Sequence, residues 1–473
     1  MTGEATGLNT SGNRPLESTM AELKTAQRAL QTLSQREIAK SLAKLATLWR
    51  EDSRWYREAL LLARNSFGEQ LCRLAVAALE ENLSFTRLCG TMTLELGSLN
   101  ALERWQQLGP ECTGHVVKAY PLGVVCQILP GNNFLAGPMA IIQCLLSKNA
   151  LLLKPSQQEQ GFLELFYRSM HEAELDPRLL AAVRVHAWGR SDQHETQTVQ
   201  KLADAIVVWG GSAAVSAFPQ HLCKGKVVYY GPRLGIGLIA SACATWEAAL
   251  ALAWDICLWE QRACSSPRLI FVREDEGQCA RAFSKLLDDA LVVMKQQIKP
   301  PPTDLEQSCQ ILTPRELSCW QDDAELITGA AESAHTVIWT KNPPDELGVG
   351  HRLVYIIPYA SDAELLSKLR PYSAMLQTVL LSAKPSQWAG LVDGLANLGV
   401  TQVISLGNGL PGRLGYPHEG EYPMRQLIKL VAVNLQAGPF MHPSAGNPNG
   451  PSVVDAMVNS RSILVECERQ SHD

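Results

Sequence analysis

The sequence predicts an α/β protein built on a parallel sheet with helices on both faces. Short apolar runs alternate with longer amphipathic stretches, and each run ends in glycine, proline, asparagine, lysine or serine. The first hundred residues instead carry helical periodicity with no strand-to-glycine turn, a helical preface to the sheet. The 473 residues allow roughly three folding units. With 46% hydrophobic and 19% charged residues, there is material for a large core.

The opening fifteen residues are polar and Gly-rich, and are expected to be disordered. From Leu16 to Gln107, apolar residues recur at three- and four-residue intervals, as in Ala39-Lys-Ser-Leu-Ala-Lys-Leu-Ala-Thr-Leu. At Val116 the rhythm changes. Val124 to Pro130 reads as a strand, Ala136 to Leu146 as a helix, and Ala150 to Lys154 as the next strand. Further strands follow near Arg184, at Ala205 to Trp209 and at Lys226 to Tyr230. Sheets of this kind bind ligands at the carboxyl ends of their strands. A second α/β section runs from Ile236 to Leu406, with a long apolar helix, a strand at Arg268 to Val272 and a charged helix from Glu274 to Lys295. More strands are expected at Thr336 to Trp339, Arg352 to Ile357 and Gln377 to Leu381. A helix from Tyr422 to Leu435 and a strand-like Ser462 to Cys467 close the chain.

Several classes are excluded. The net charge of −5 lacks a nucleic-acid footprint. The longest apolar stretch, Gly237 to Trp259, contains Glu247 and Asp255, so it reads as a buried helix and not a membrane span. Thirteen cysteines without a C-x-x-C pair argue against a disulfide framework or a zinc site and place the chain in the reducing cytoplasm.

One of those cysteines stands apart. Cys264, in Trp259-Glu-Gln-Arg-Ala-Cys264-Ser-Ser-Pro-Arg268, sits where a helix gives way to a strand, with Arg262 and backbone N–H groups able to favour a thiolate. It belongs to an ordered series: Pro121-Leu-Gly-Val-Val-Cys-Gln-Ile-Leu-Pro-Gly-Asn132, Leu153-Lys154-Pro155-Ser156, Trp209-Gly-Gly211-Ser212, Tyr229-Tyr230-Gly231-Pro232 and Gln261-Arg-Ala-Cys264. From Pro121 to Leu435 this series resembles the aldehyde dehydrogenase superfamily. Asp255-Ile-Cys-Leu-Trp-Glu-Gln-Arg-Ala-Cys-Ser-Ser-Pro, Leu376-Gln-Thr-Val and Tyr416-Pro-His-Glu-Gly narrow the likeness to LuxC-type acyl-CoA reductases, the fatty acid reductase component of bacterial luminescence.

The resemblance implies an aldehyde dehydrogenase-like fold with a Rossmann-like cofactor-binding domain (16–235 and 407–459), a catalytic domain (236–406), and oligomerisation segments at 111–122 and 460–473. It implies Cys264 as nucleophile, with the Asn132 amide joining the Cys264 N–H as oxyanion donor; a turn asparagine is the plainer account of Asn132. Pro130, Gly131, Lys154, Ser156, Gln157, Gly210, Gly211, Ser212 and Gly231 are the implied cofactor-binding set, with Lys154 at the adenosine ribose or its phosphate and Gly210 to Ser212 opening a helix toward the pyrophosphate. A tight strand-to-helix turn without a ligand is the alternative for that glycine pair.

Two departures from the superfamily pattern carry information. Tyr229-Tyr230 fill the place where hydrolytic members carry the glutamate that activates water, so a Cys264 thioester should resist hydrolysis. Glu260, next to the cysteine motif, is a candidate substitute base, with a helix-end carboxylate as its plainer role. Gln157 stands where NAD-preferring members place a glutamate, which favours NADPH over NADH because a neutral amide does not repel a 2′-phosphate. His418 is the histidine suited to protonating the alkoxide as aldehyde forms, with a structural helix-start histidine as its plainer role. The reading is NADPH-dependent reduction of an acyl-CoA or carrier-bound acyl thioester to an aldehyde through acyl-Cys264, in a cytoplasmic homo-oligomer fed, where a carrier is used, by an acyl-transferring protein. A hydrolytic aldehyde dehydrogenase, a Cys-dependent acyltransferase or thioesterase, and a non-catalytic scaffold whose sites have decayed are the alternatives; the intact Cys264, Asn132 and Lys154 argue against the last.

Overall fold

A computed structural model describes residues 15–63, 68–107, 115–157, 161–275, 277–300, 305–328, 334–347, 350–409 and 412–434. Five helices open it, at Leu16–Leu30, Gln35–Leu48, Arg54–Ala63, Glu69–Asn82 and Phe85–Leu96. The second starts at a capping box: Ser34 Oγ accepts from Glu37 N at 3.2 Å, and Glu37 Oε2 accepts from Ser34 N at 2.6 Å. Their apolar faces, including Leu23, Leu42 and Trp49, share one core with the first sheet.

That sheet has five strands: β3 (Val124–Ile128), β4 (Ala150–Lys154), β5 (Val183–Val185), β6 (Ala205–Trp209) and β7 (Lys226–Tyr230) in our numbering, where β1 (Gln106–Gln107) and β2 (His115–Pro121) precede them. Their order is β5-β4-β3-β6-β7, all parallel. Every residue of β3 is buried, as expected of a strand covered on both faces.

A seven-stranded sheet is built from β8 (Leu234–Ile239), β9 (Pro267–Arg273), β10 (Ala324–Leu326), β11 (Thr336–Thr340), β12 (Leu353–Tyr359), β13 (Leu376–Ser382) and β14 (Gln402–Ser405). Its order is β10-β11-β12-β9-β8-β13-β14, with only β10 antiparallel. The apolar stretch expected to form one helix divides into β8 and the helix Trp246–Cys257, which starts where the Thr245 side chain accepts from Ala248 N. Asp255, buried on that helix, accepts N–H groups from Gly407 (2.6 Å) and Gly409 (2.9 Å) and so fixes the returning chain; burial pushes its carboxyl up to about 7.

The expected helix from Tyr422 to Leu435 is mostly a strand. Pro423–Gln426 forms one short turn, and β15 (Ile428–Asn434) then pairs antiparallel with β2 along its whole length. Ile428, Val431 and Val433 suit a pleated surface better than a helix. The sheet β1-β2-β15 is joined to the body by Asn149, whose side chain accepts from Gly123 N and donates to Leu427 O, both at 2.9 Å. The expected disorder of the opening residues and the strand at Ser462 to Cys467 fall outside the described residues. No helix among the described residues is long and apolar enough to cross a membrane, and no cluster there could hold a metal ion.

Candidate active site

The predicted cofactor residues gather on one edge of the five-stranded sheet because its strands are parallel and in register. Ile128 lies opposite Lys154, and Trp209 opposite Tyr230. Pro130 and Gly131 therefore follow β3, Ser156 and Gln157 follow β4, Gly210 to Ser212 follow β6, and Gly231 follows β7, all at carboxyl ends. The helix after the glycine pair is short, Ser212–Ser216. A Cβ on Gly211 or Gly231 would meet nothing within 4 Å, so the backbone there faces open space. Lys154 ends β4 half-buried, its Nζ 5.2 Å from the Trp188 ring centroid. Burial lowers its pKa, and the nearby Arg190 lowers it further. Neither cation has a carboxylate partner among the described residues, an arrangement that fits a phosphate-bearing ligand.

Cys264 lies in the loop between the helix Trp246–Cys257 and β9. That loop is entered through three consecutive left-handed residues, Trp259, Glu260 and Gln261, at φ 53°, 51° and 57°. Such a backbone costs roughly 1–2 kcal/mol per residue and persists only where neighbours impose it. Gly235 of β8 lets the loop pack closely: a Cβ there would stand 2.6 Å from the carbonyl oxygens of Ser265 and Ser266. Cys264 is partly exposed as a residue, yet burial of its sulfur, followed by the charge of Glu419, pushes the thiol up to about 11.

Asn132 does not satisfy its own turn. Its Nδ2 donates across 130 residues of sequence to Arg262 O at 2.6 Å, two residues before Cys264. The adjacent Asn133 takes the turn role, its Oδ1 accepting from Leu135 N at 2.9 Å. Because an amide carries two N–H bonds, Asn132 keeps one donor for a second acceptor.

His418 packs 4.9 Å from both Trp209 and Tyr230, which stack on each other at 4.0 Å. Burial, then the charge of Arg233, lowers its pKa to about 4. The imidazole is therefore neutral at physiological pH and only weakly basic. Tyr230 is buried, and burial raises its phenol pKa; it carries no carboxylate. Glu260 is not a free base either, because Arg352 Nη2 donates to it at 2.6 Å in the interior.

Sequence reasoning missed three charged residues. Glu419, which raises the Cys264 pKa, accepts on Oε2 from Arg233 Nε (2.8 Å) and Nη2 (2.5 Å), so its carboxylate is engaged. Arg268, four residues past the nucleophile, has a buried Nε with no hydrogen-bond partner among the described residues; burial lowers its pKa while Cys264 acts the other way. Only the Pro-His-Glu-Gly motif hinted at Glu419, and Arg233 and Arg268 carried no local signal.

Two parallel sheets flanked by helices, with the Asn132 amide bonded to the loop that carries Cys264, make up an aldehyde dehydrogenase-like fold. The backbone superposes on aldehyde dehydrogenase 21 of Physcomitrella patens, solved with the product succinate, with a TM-score of 0.69 at 13% identity over 88% of this chain and 89% of that one. A mutant aldehyde dehydrogenase C of Pseudomonas syringae, solved with NAD+ and octanal, gives 0.68 at 14% identity over 88% of each chain. Within that fold, residues 30–430 match the family model described as acyl-CoA reductase (LuxC), and the chain belongs to that family. It is 24% identical over 368 residues to long-chain acyl-protein thioester reductase 2 of Photobacterium leiognathi, covering 76% of this chain and 74% of that one. The long-chain acyl-protein thioester reductase of Aliivibrio fischeri gives the same identity and coverage over 372 residues. The chain is thus an acyl thioester reductase forming aldehydes.

Proposed function

We propose that the chain reduces a fatty acyl thioester, on CoA or a carrier protein, with NADPH and through an acyl group held on Cys264. The observation that carries this reading is the Asn132 amide bonded to the Cys264 loop, and the motif in which Tyr229-Tyr230 replace the hydrolytic members' glutamate supports it. Cys264 gives up its proton as its sulfur bonds the acyl carbon, and the carrier thiol departs with that proton; His418, buried and only weakly basic, stays neutral. Asn132 and the Cys264 N–H hold the negative oxygen during that exchange and again as aldehyde leaves. Bound NADPH supplies the hydride. Lys154, with Ser156 and Gln157 at the same strand end, holds the phosphorylated ribose, and Pro130, Gly131, Gly210, Gly211, Ser212 and Gly231 line the remaining edge with small residues. Gln157, a neutral amide three residues after Lys154, supports NADPH over NADH because it does not repel a 2′-phosphate.

In this reading residues 16–235 and 407–459 bind the cofactor and 236–406 carry the nucleophile, in a cytoplasmic homo-oligomer. The exposed Leu430 and Val431 of β15 support association at that strand, and the relatives named for acyl-protein thioesters support an acyl-transferring protein as donor. Incubation with radiolabelled acyl-CoA tests the reaction. The expected label is hydroxylamine-sensitive, absent in Cys264→Ala, and released as aldehyde when NADPH is added. Release as fatty acid would establish the hydrolytic alternative, and an acyl-enzyme indifferent to NADPH the acyltransferase one.

A further inference from the structure

The left-handed turn ahead of the nucleophile faces a second one. Gly350, His351 and Arg352 have φ 78°, 60° and 53°, against 53°, 51° and 57° for Trp259, Glu260 and Gln261. Nothing in the local sequence favours this backbone in five non-glycine residues, because the Cβ of an L residue crowds its own carbonyl there. The contacts between the turns show what imposes it. Arg352 Nη2 donates to Glu260 Oε1 at 2.6 Å and its Nε to Oε2 at 3.3 Å, with the two side chains 1% and 8% exposed. Gln261 Nε2 donates to the carbonyls of Pro267 (2.8 Å) and Leu353 (2.7 Å), and its Oε1 accepts from Leu353 N at 2.9 Å. Trp259 is buried against Phe134, ring centroids 5.2 Å apart. The backbones themselves come close: a Cβ on Gly350 would stand 3.3 Å from Glu260 O.

A buried ion pair is a weak source of stability, because removing both charges from water offsets most of their attraction. What it does supply is direction, since a guanidinium fork reaching both oxygens of one carboxylate fixes the two backbones relative to each other. Only Gln261, Arg262 and Ala263 separate Glu260 from Cys264. The Arg262 carbonyl also receives the Asn132 N–H. A shift of the Glu260 turn would therefore displace nucleophile and oxyanion donor together.

We propose that Glu260 and Arg352 are positioning residues for acyl transfer: their ion pair locks the two left-handed turns so that Cys264 and Asn132 keep one geometry toward the acyl carbonyl. Neither residue touches the substrate. The proposal rests on Cys264 being the acylated nucleophile.

The double variant Glu260→Leu with Arg352→Met tests it, because exchanging a buried pair for apolar residues of similar volume generally preserves folding. The full-length protein is compared with wild type by thermal melting, NADPH binding, iodoacetamide alkylation of Cys264 and single-turnover acylation with acyl-CoA. The expected result is unchanged melting and NADPH binding, alkylation within about threefold of wild type, and acylation slowed roughly 30-fold at saturating acyl-CoA with KM little moved. Alkylation needs only an accessible thiol, whereas acylation needs thiol and donor aligned, so a merely structural role would not separate the two rates. Acylation at the wild-type rate, or equal loss of both rates, overturns the proposal. Should the double variant fail to fold, Glu260→Gln gives the same reading: acylation lowered more than alkylation supports the positioning role, and parallel behaviour of the two overturns it. A wild-type protein that alkylates at Cys264 but takes up no acyl label would sink the thioester reading itself, a result distinct from failure of the clamp alone.

Discussion

The carboxyl edge of the five-stranded sheet and the loop entering β9 are built on opposite principles. At the edge, a Cβ on Gly211 or Gly231 would meet nothing, and Lys154 lacks a carboxylate partner among the described residues. In the loop, a Cβ on Gly235 would collide with two carbonyls, and Glu260, Gln261 and Asn132 all have partners. The edge is open at those glycines, as the proposed cofactor site requires. The loop is completed by the protein itself, because a nucleophile must be aimed before its substrate arrives. Substitutions in the loop should therefore disturb acylation, and substitutions on the edge should disturb cofactor binding.

The largest expected effect belongs to Asn132→Ala, which removes a side-chain donor for the oxyanion and should slow acylation by ~100- to 1000-fold. Rapid-quench measurement of the acyl label reads this directly, and NADPH affinity should stay near wild type. A comparable loss of NADPH affinity would show that Asn132 belongs to the edge and would erase the contrast. Gly235→Ala comes next. The added carbon must push the Ser265 and Ser266 carbonyls away from 2.6 Å, and a shift of this size in a nucleophile loop costs on the order of 100-fold in rate. The matched Gly211→Ala, with open space before it, should acylate normally.

His418 sharpens the contrast through pH. Its pKa is lowered from 6.5 to about 4 in the folded protein, so the unfolded chain takes up a proton first as pH falls. Stability from this group is complete above pH 6.5 and is lost as pH drops toward 4, by about 2 kcal/mol at pH 5. Denaturant unfolding at pH 7.5 and pH 5 should show wild type losing that much more than His418→Asn. Asp255 and Glu95, both raised by burial to about 7, act in the opposite direction but equally in both proteins, and so cancel in the difference.

The two regions also differ in how much of them could be read from sequence. The edge is local: each strand and its terminal small residues occupy one short segment, so Lys154, Gly211 and Gly231 were legible before the fold was. The loop depends on distant partners. Arg352 lies 92 residues from Glu260, and Arg233 lies 186 from Glu419, separations no periodicity can bridge. For the same reason β15 read as a helix: its apolar residues fit either period, and its partner β2 lies some three hundred residues earlier. The joining of β8 to the helix after it was avoidable, since Thr245-Trp246-Glu247 is an N-terminal capping signal inside an apolar run.

The smallest expected effect tests the edge by itself. Lys154→Met keeps an unbranched side chain of similar length and removes the charge, together with its contact to the Trp188 ring. A charge-assisted hydrogen bond to phosphate contributes about 1.5 kcal/mol or more, so the Kd for NADPH should rise roughly tenfold. If the cation meets the 2′-phosphate, the Kd for NADH should change much less, because NADH lacks that group. Fluorescence titration of both cofactors separates the cases: equal weakening would place Lys154 on the ribose or pyrophosphate and remove the ground for preferring NADPH. Acyl label on Cys264 formed in the absence of cofactor should match wild type in either case. A fall in that label would mean the edge and the loop are coupled, and that the division between a surface awaiting its ligand and a site held ready by the fold is too sharp.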